Sequence, residues 1–337
     1  MIAKYMNLKR ISHRIKEELT STMEVAKVVG IKNAFATFRG KVDIQIMVHN
    51  GRVEYPWITR HLLKKHNAMN AYFEKTFTKV NDDRIQKINI PQQDENYKEC
   101  IWICWWQGME NAPELVKRCV ASIQNHAGNH EIIIITDENY RNFVNFPAWI
   151  EEKHKKGIIT KTHLSDLLRI SLLAQYGGIW LDSTFFCTGD LDSYFNMPIW
   201  SIKRPDYRHV SVACGEFANY SLGCTSEYRK VFVILREYLL DYWKHYDYMI
   251  DYLFLDYLIV LARRQNQYVD QAFAKIVPNN ENCDELLKIL GNVFDQNNWE
   301  NLKRNTNLFK LTWKAEFPQK ISGESTYFGK LLNEELV

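Results

Sequence analysis

No two of the seven cysteines stand in a Cys-x-x-Cys spacing, so a ribbon-type zinc site is not expected, and the odd number speaks against a disulfide framework. They read as reduced, mostly buried thiols of a cytosolic chain. No stretch approaches the roughly 20 apolar residues that a membrane span requires; the most apolar helical segment, 252–262, is short and carries Asp256. The opening MIAKYMNLKRISHRIKEEL lacks the continuous apolar centre of a secretory signal. An excess of one charge is missing too, with 43 Lys and Arg against 40 Asp and Glu, so a nucleic-acid footprint is not indicated. No glycine-rich loop with Lys or Arg follows the first apparent strand. Gln107, Gly108, Met109 and Glu110 stand there, which argues against a nucleotidyl or sugar-phosphate transferase.

Apolar residues make up 46% of the 337 positions, enough to bury a full core in one main domain plus an appendage. The most informative stretch is 162–184, THLSDLLRISLLAQYGGIWLDST. Leu164, Leu167, Leu168, Leu172 and Leu173 follow helical spacing, and Thr162 or Ser165 is suited to cap the helix start. Gly177 and Gly178 supply the positive φ that stops the helix and turns the chain. Ile179, Trp180 and Leu181 are too few for another helix and read as a buried strand. That strand delivers Asp182 to its carboxyl end, where open α/β sheets bind ligands. Asp166 and Arg169 share a helix face at i and i+3. Alone they would be a surface ion pair worth about 0–1 kcal/mol. Beside a strand ending on Asp182, they predict one pocket holding two carboxylates and a guanidinium.

Upstream, Cys100 to Trp106 is a near-continuous apolar run, typical of a strand covered on both faces. Pro113 opens a helix to about Asn125, and Glu131 to Thr136 reads as a second buried strand. Strand, helix, strand at this spacing is a βαβ unit, which predicts a parallel, doubly wound sheet. Trp106, Gln107, Thr136 and Asp137 then share one sheet edge. Residues 199–202 and 210–214 read as further strands, and 226–262 as two long helices. Residues 1–95 read as a helical region and 96–337 as the main domain. In the first of these, Lys4, Lys9, Arg10, Arg14 and Lys16 alternate with apolar residues. Such a helix either rests on an anionic membrane or packs on the main domain.

SDLLRISLLAQYGGIWLDST resembles the sugar-nucleotide signature of GT-A glycosyltransferases of the capsular polysaccharide synthesis family. That family is related to mannosyl- and galactosyltransferases and to the glucosyltransferase domains of clostridial toxins. Ser165, Asp166, Arg169, Tyr176, Gly177, Gly178 and Asp182 fall in register, and IWICWWQGMENAP (101–113) resembles the first strand. The resemblance covers about 98–260 well, the C-terminal part loosely and 1–95 hardly. It implies an α/β fold of GT-A type with a Rossmann-like, mostly parallel sheet flanked by helices, to which the residue pattern adds an N-terminal helical appendage and a helical C-terminal part. It also implies a bacterial-type enzyme. That enzyme would move a hexose, with retention, from a UDP-sugar to a saccharide acceptor in capsular or other cell-surface polysaccharide synthesis. The acceptor would be lipid-diphosphate-linked, and the location cytoplasmic, with peripheral contact at the inner membrane face.

Carried over residue by residue, the resemblance makes Asp166, Arg169 and Asp182 the catalytic set. Asp166 and Arg169 would hold the donor's sugar and ribose, with Tyr176 and Gly178 shaping the pocket. Trp106 and Gln107 would lie at the base, near Thr136 and Asp137. Lys310 and Lys314 are suited to the diphosphate, and Ser322 resembles a lid serine. Lys203, Arg204, Arg208, Asp251 and Asp256 are placed on the acceptor side. Related enzymes bind Mn²⁺ or Mg²⁺ through Asp-x-Asp; here Asp182-Ser183-Thr184 keeps only the first carboxylate. Metal binding through Asp182 is the expectation, and neutralisation of the diphosphate by basic side chains is the alternative. The missing second acid also leaves open a catalytically inactive sugar-nucleotide-binding or assembly subunit.

Overall fold

The computed structural model describes residues 8–49, 53–77, 88–92, 94–204 and 207–336. The side chains of the basic pattern at 4–16 lie outside what is described. Three helices come first: α1 (Leu8–Val29), α2 (Ile31–His49) and α3 (Pro56–Thr76). The main sheet draws on β1 (Ile101–Cys104), β2 (Ile132–Ile135), β3 (Gly178–Leu181), β5 (Ile199–Ser201) and β6 (Ser221–Cys224). Between these strands run α4 (Glu114–His126), α5 (Ala148–Lys155), α6 (Lys161–Gln175), β4 (Phe185–Cys187) and α7 (Asp192–Phe195). The later part holds α8 (Arg229–His245), α9 (Phe254–Gln265), α10 (Gln267–Ala274), α11 (Glu285–Ile289), α12 (Gln296–Lys303), β7 (Leu308–Lys310), the hairpin strands β8 (Lys320–Ile321) and β9 (Glu324–Ser325), and α13 (Tyr327–Leu332).

The sheet order is β2-β1-β3-β6-β5. β1 pairs in parallel with both β2 and β3, while β6 runs against β3 and β5. This is the expected mixed α/β fold with a mostly parallel sheet flanked by helices. The pleat sorts side chains by alternation. Ile101, Ile103, Ile179 and Leu181 face a core with Val116, Val120 and Ile123 of α4. Trp102 and Trp180 face the opposite core, with α6 and α8. β4 and β7 form a separate two-stranded sheet over the C-terminal helices.

The glycine pair is forced by packing. Gly177 and Gly178 have φ of 74° and 80°, and a Cβ on Gly178 would stand 2.4 Å from the Cys100 carbonyl oxygen. The sharp turn lets β3 lie directly against β1. The helix cap differs from expectation: Thr160 accepts from the His163 N–H, so α6 begins at Lys161. The run 210–214 is not a strand. Cys214 and Gly215 have φ of 48° and 78°, and the segment turns back into β6, whose SLGC sequence carries little strand signal.

The N-terminal helices share the larger core. Met69, Tyr72 and Phe73 of α3 pack with Phe254 and Tyr257 of α9. Lys65 on α3 is buried, 2.8 Å from Asp251, and donates to the Tyr257 hydroxyl at 2.9 Å. Removing one member of such a pair costs about 3–5 kcal/mol, because the other charge is left buried. Asp251 is therefore a structural partner of α3 and not an acceptor-side group.

Candidate active site

The carboxyl ends of β1 and β3 open on the same side, and antiparallel β6 begins there. The first turns of α6 and the end of β7 close a cleft of about 570 Å³ over this edge. Arg169, 5% exposed, is its centre. One guanidinium nitrogen lies 3.5 Å from Asp182 Oδ1 and 3.6 Å from Asp166 Oδ1. The other donates to the backbone and side-chain oxygens of Asn219. The three residues singled out in 162–184 therefore meet at one pocket.

Asp182 is held from both sides. Its Oδ1 accepts from the Trp180 indole at 3.1 Å, and its Oδ2 lies 3.4 Å from Lys310 Nζ. Lys310 also donates to Thr184 Oγ1 at 2.5 Å. Trp106 lines the cleft, buried, with its indole donating to Ser165 Oγ at 2.8 Å and Lys161 Nζ 4.8 Å from its ring centroid. Gln107 and Lys314 line the cleft as expected. So does Trp105, edge-on to Trp313 at 5.8 Å. The buried Trp105 Nε1 and Arg169 Nε have no hydrogen-bond partner among the described residues.

Other expected residues lie elsewhere. Tyr176 packs on Trp102 in the core and donates to the Phe143 carbonyl at 2.9 Å. Gly178 shapes the β1–β3 contact and not the pocket. Thr136 accepts from the Glu138 N–H, and Asp137 pairs with the cleft-lining Lys161. Ser322 is exposed in the β8–β9 turn. Lys203 is paired with Glu216. Arg204 and Arg208 line a separate cavity. Asp256 is buried behind Asn219, whose amide donates to it at 2.6 Å, so it does not touch the cleft. Lys161, Thr184, Asn219, Tyr220, Tyr252 and Trp313 line the cleft without having been singled out.

The family model described as "Capsular polysaccharide synthesis protein" matches residues 54–331. The chain belongs to that family. A stretch of 110 residues is also 27% identical to the O-glycosyltransferase PaGT of Phomopsis amygdali, covering 30% of this chain and 27% of that protein. The chain thus spans about a quarter of that relative's length. A solved structure titled as a WbbM bifunctional glycosyltransferase in the apo state superposes with a TM-score of 0.37 at 8% identity, over 96% of this chain and 71% of that one. No helix among the described residues is long and apolar enough to cross a membrane.

At Asp182, the residue expected to hold Mn²⁺ or Mg²⁺, basic side chains stand on both sides. Both oxygens of Asp182 already face cations, and Thr184, in place of a second acid, accepts from Lys310. Among the described residues no three His, Cys, Asp or Glu side chains gather to hold a metal.

The carboxylates divide by environment. Burial pushes Asp166 up, only partly opposed by Arg169, and the nearby acids add to the rise, to about 7. Burial likewise raises Asp256, to about 6, despite hydrogen bonds from Ser211 and Asn219. For Asp182 the push of burial is outweighed by Lys310, Arg169 and the Trp180 N–H, which hold it below the ordinary range. A raised carboxyl pKa means that the folded state holds its proton more tightly than the unfolded chain. The contribution to stability is thus lost as pH rises from about 4 to about 7. Asp166→Asn removes this loss. Relative to wild type, its Tm is expected to gain several degrees between pH 4 and pH 7. A difference in Tm independent of pH over that window would contradict the reading.

Proposed function

We propose that this chain is a retaining, nucleotide-sugar-dependent hexosyltransferase acting in cell-surface polysaccharide synthesis, with a UDP-sugar as donor. The observation that carries the reading is the meeting of Asp166, Asp182 and Asn219 on one buried guanidinium at the open sheet edge. Four cations line the cleft, Lys161, Arg169, Lys310 and Lys314, against the two acids Asp166 and Asp182. The excess of positive charge suits a nucleoside diphosphate. The base stacks at the Trp105, Trp106 and Trp313 end, with Gln107 at its rim, and the diphosphate lies along Lys310 and Lys314. Asp166 and Asp182 accept from sugar hydroxyls.

In the reaction the bond from the anomeric carbon to the phosphate oxygen breaks and a bond to the acceptor oxygen forms on the same face. The departing phosphate oxygen takes the acceptor's proton. Arg169 and Lys310 stabilise the charge that grows on the leaving group, which is where preorganised cations contribute most to rate. No side-chain nucleophile is needed.

Thermal-shift measurements with UDP, GDP and CMP, repeated with their sugar conjugates, test the donor assignment. UDP and its sugars are expected to raise Tm by several degrees in the presence of EDTA. No shift with any nucleotide would remove the proposal. A shift without slow release of nucleoside diphosphate from the sugar conjugate would instead favour the binding or assembly subunit.

A further inference from the structure

A second cavity, of about 400 Å³, lies next to the cleft, and Tyr220 and Lys310 line both. We infer that this second cavity seats the acceptor as a neutral saccharide, an assignment that rests on the first cleft being the donor site. Its volume falls in the range of small-ligand pockets, about 300–1,000 Å³. Transfer requires the acceptor oxygen to come within about 3–3.5 Å of the anomeric carbon. Two shared wall residues place the second pocket beside the donor cleft, the position that such an approach requires.

The lining decides the ligand's chemistry. Arg204 is paired with Asp284 and Lys288 with Glu285. Outside the lining, the neighbouring Lys203 and His209 are paired with Glu216 and Glu54. Lys203, Arg204 and Lys288 are therefore each held by one of the protein's own acids, which argues against a phosphate cradle. Interleaved acceptors and donors instead match vicinal hydroxyls, each of which donates once and accepts once or twice. Tyr207 and Tyr220 add aromatic side chains to the wall.

Two connections tie the cavity to the rest of the molecule. Ile44 and Met47 of α2 form part of its wall, so the N-terminal helices contribute to acceptor recognition. Asp256 lies behind the partition: Ser211, which lines the second cavity, donates to its Oδ2 at 2.6 Å, and Asn219, which lines the cleft, donates to its Oδ1 at 2.6 Å. Asp256 is thus a positioning residue that fixes one wall group of each pocket.

The test uses saturation-transfer NMR on the full chain with methyl α- and β-glycosides of glucose, galactose and mannose, with and without saturating UDP. At least one glycoside is expected to bind, to stay bound in the presence of UDP, and to weaken tenfold or more in Ile44→Trp, which fills the cavity. Arg208→Ala, an exposed change that spares folding, is expected to weaken it severalfold. Both variants should keep the UDP-induced rise in Tm. No glycoside signal, a signal displaced by UDP or by pyrophosphate, or a signal unchanged in both variants would overturn the assignment. Loss of the UDP shift in wild type would strike the donor reading instead, so the two failures are distinguishable.

Discussion

Asp182→Asn is expected to lower the rate of sugar transfer by about 10²–10³-fold, the usual cost of removing one preorganised electrostatic group from a reacting centre. The change is nearly isosteric but removes the charge that Arg169 and Lys310 share. One amide N–H must then point at one of those cations. Arg169 keeps Asp166 and Asn219 as partners, so the guanidinium stays close to its place, and the partly exposed position of Asp182 limits the loss of stability. The deficit should therefore appear in turnover and not in the yield of folded protein. Release of nucleoside diphosphate at saturating donor, set beside the UDP-induced Tm shift, separates the two. A turnover within threefold of wild type would show that Asp182 is a structural ion-pair member and not part of the reaction.

That Asp182 was legible at all follows from how little freedom its neighbours have. The pair Gly177-Gly178 reads as a turn in any α/β chain, and the Cys100 carbonyl 2.4 Å from a would-be Cβ shows why no other residue serves at 178. The three-residue apolar strand after this turn pairs with β1 and β6, and that pairing places its end, and Asp182 with it. Tyr176 shows the limit of register. It sits one position past the last helical residue, and burial of its ring against Trp102 turned it into the core. Asn219 and Tyr220 were hidden because they precede β6, whose Ser-Leu-Gly-Cys has neither alternation nor branched residues. Val210 to Cys214 looked more strand-like, yet the positive φ of Cys214 and Gly215 makes it a turn. Asp251 and Asp256 are both placed on the acceptor side by the resemblance, yet only Asp256 belongs to α9, and Asp251 precedes it. Spacing does not say what each faces: Lys65 of a distant helix for one, Ser211 and Asn219 for the other.

Lys310→Ala is expected to weaken UDP binding by about 10–100-fold, the size of one charge-assisted hydrogen bond of 1.5–3 kcal/mol. In wild type, millimolar EDTA should change the affinity by less than twofold, because the ammonium group at Asp182 and Thr184 occupies the place where a cation would bridge protein and diphosphate. The variant carries a second consequence. With the ammonium gone, Asp182 Oδ2 and Thr184 Oγ1 are released together, one carboxylate and one hydroxyl. These are the oxygen ligands that Mg²⁺ and Mn²⁺ accept alongside water and phosphate. Mn²⁺ should therefore recover part of the lost affinity in Lys310→Ala while doing nothing for wild type. Isothermal titration of UDP into both proteins, with EDTA and with Mn²⁺, reads all four values. Binding by wild type that collapses in EDTA and returns with Mn²⁺ would mean that Lys310 leaves Asp182 when the donor arrives, and that the positive charge at the diphosphate is the metal's after all.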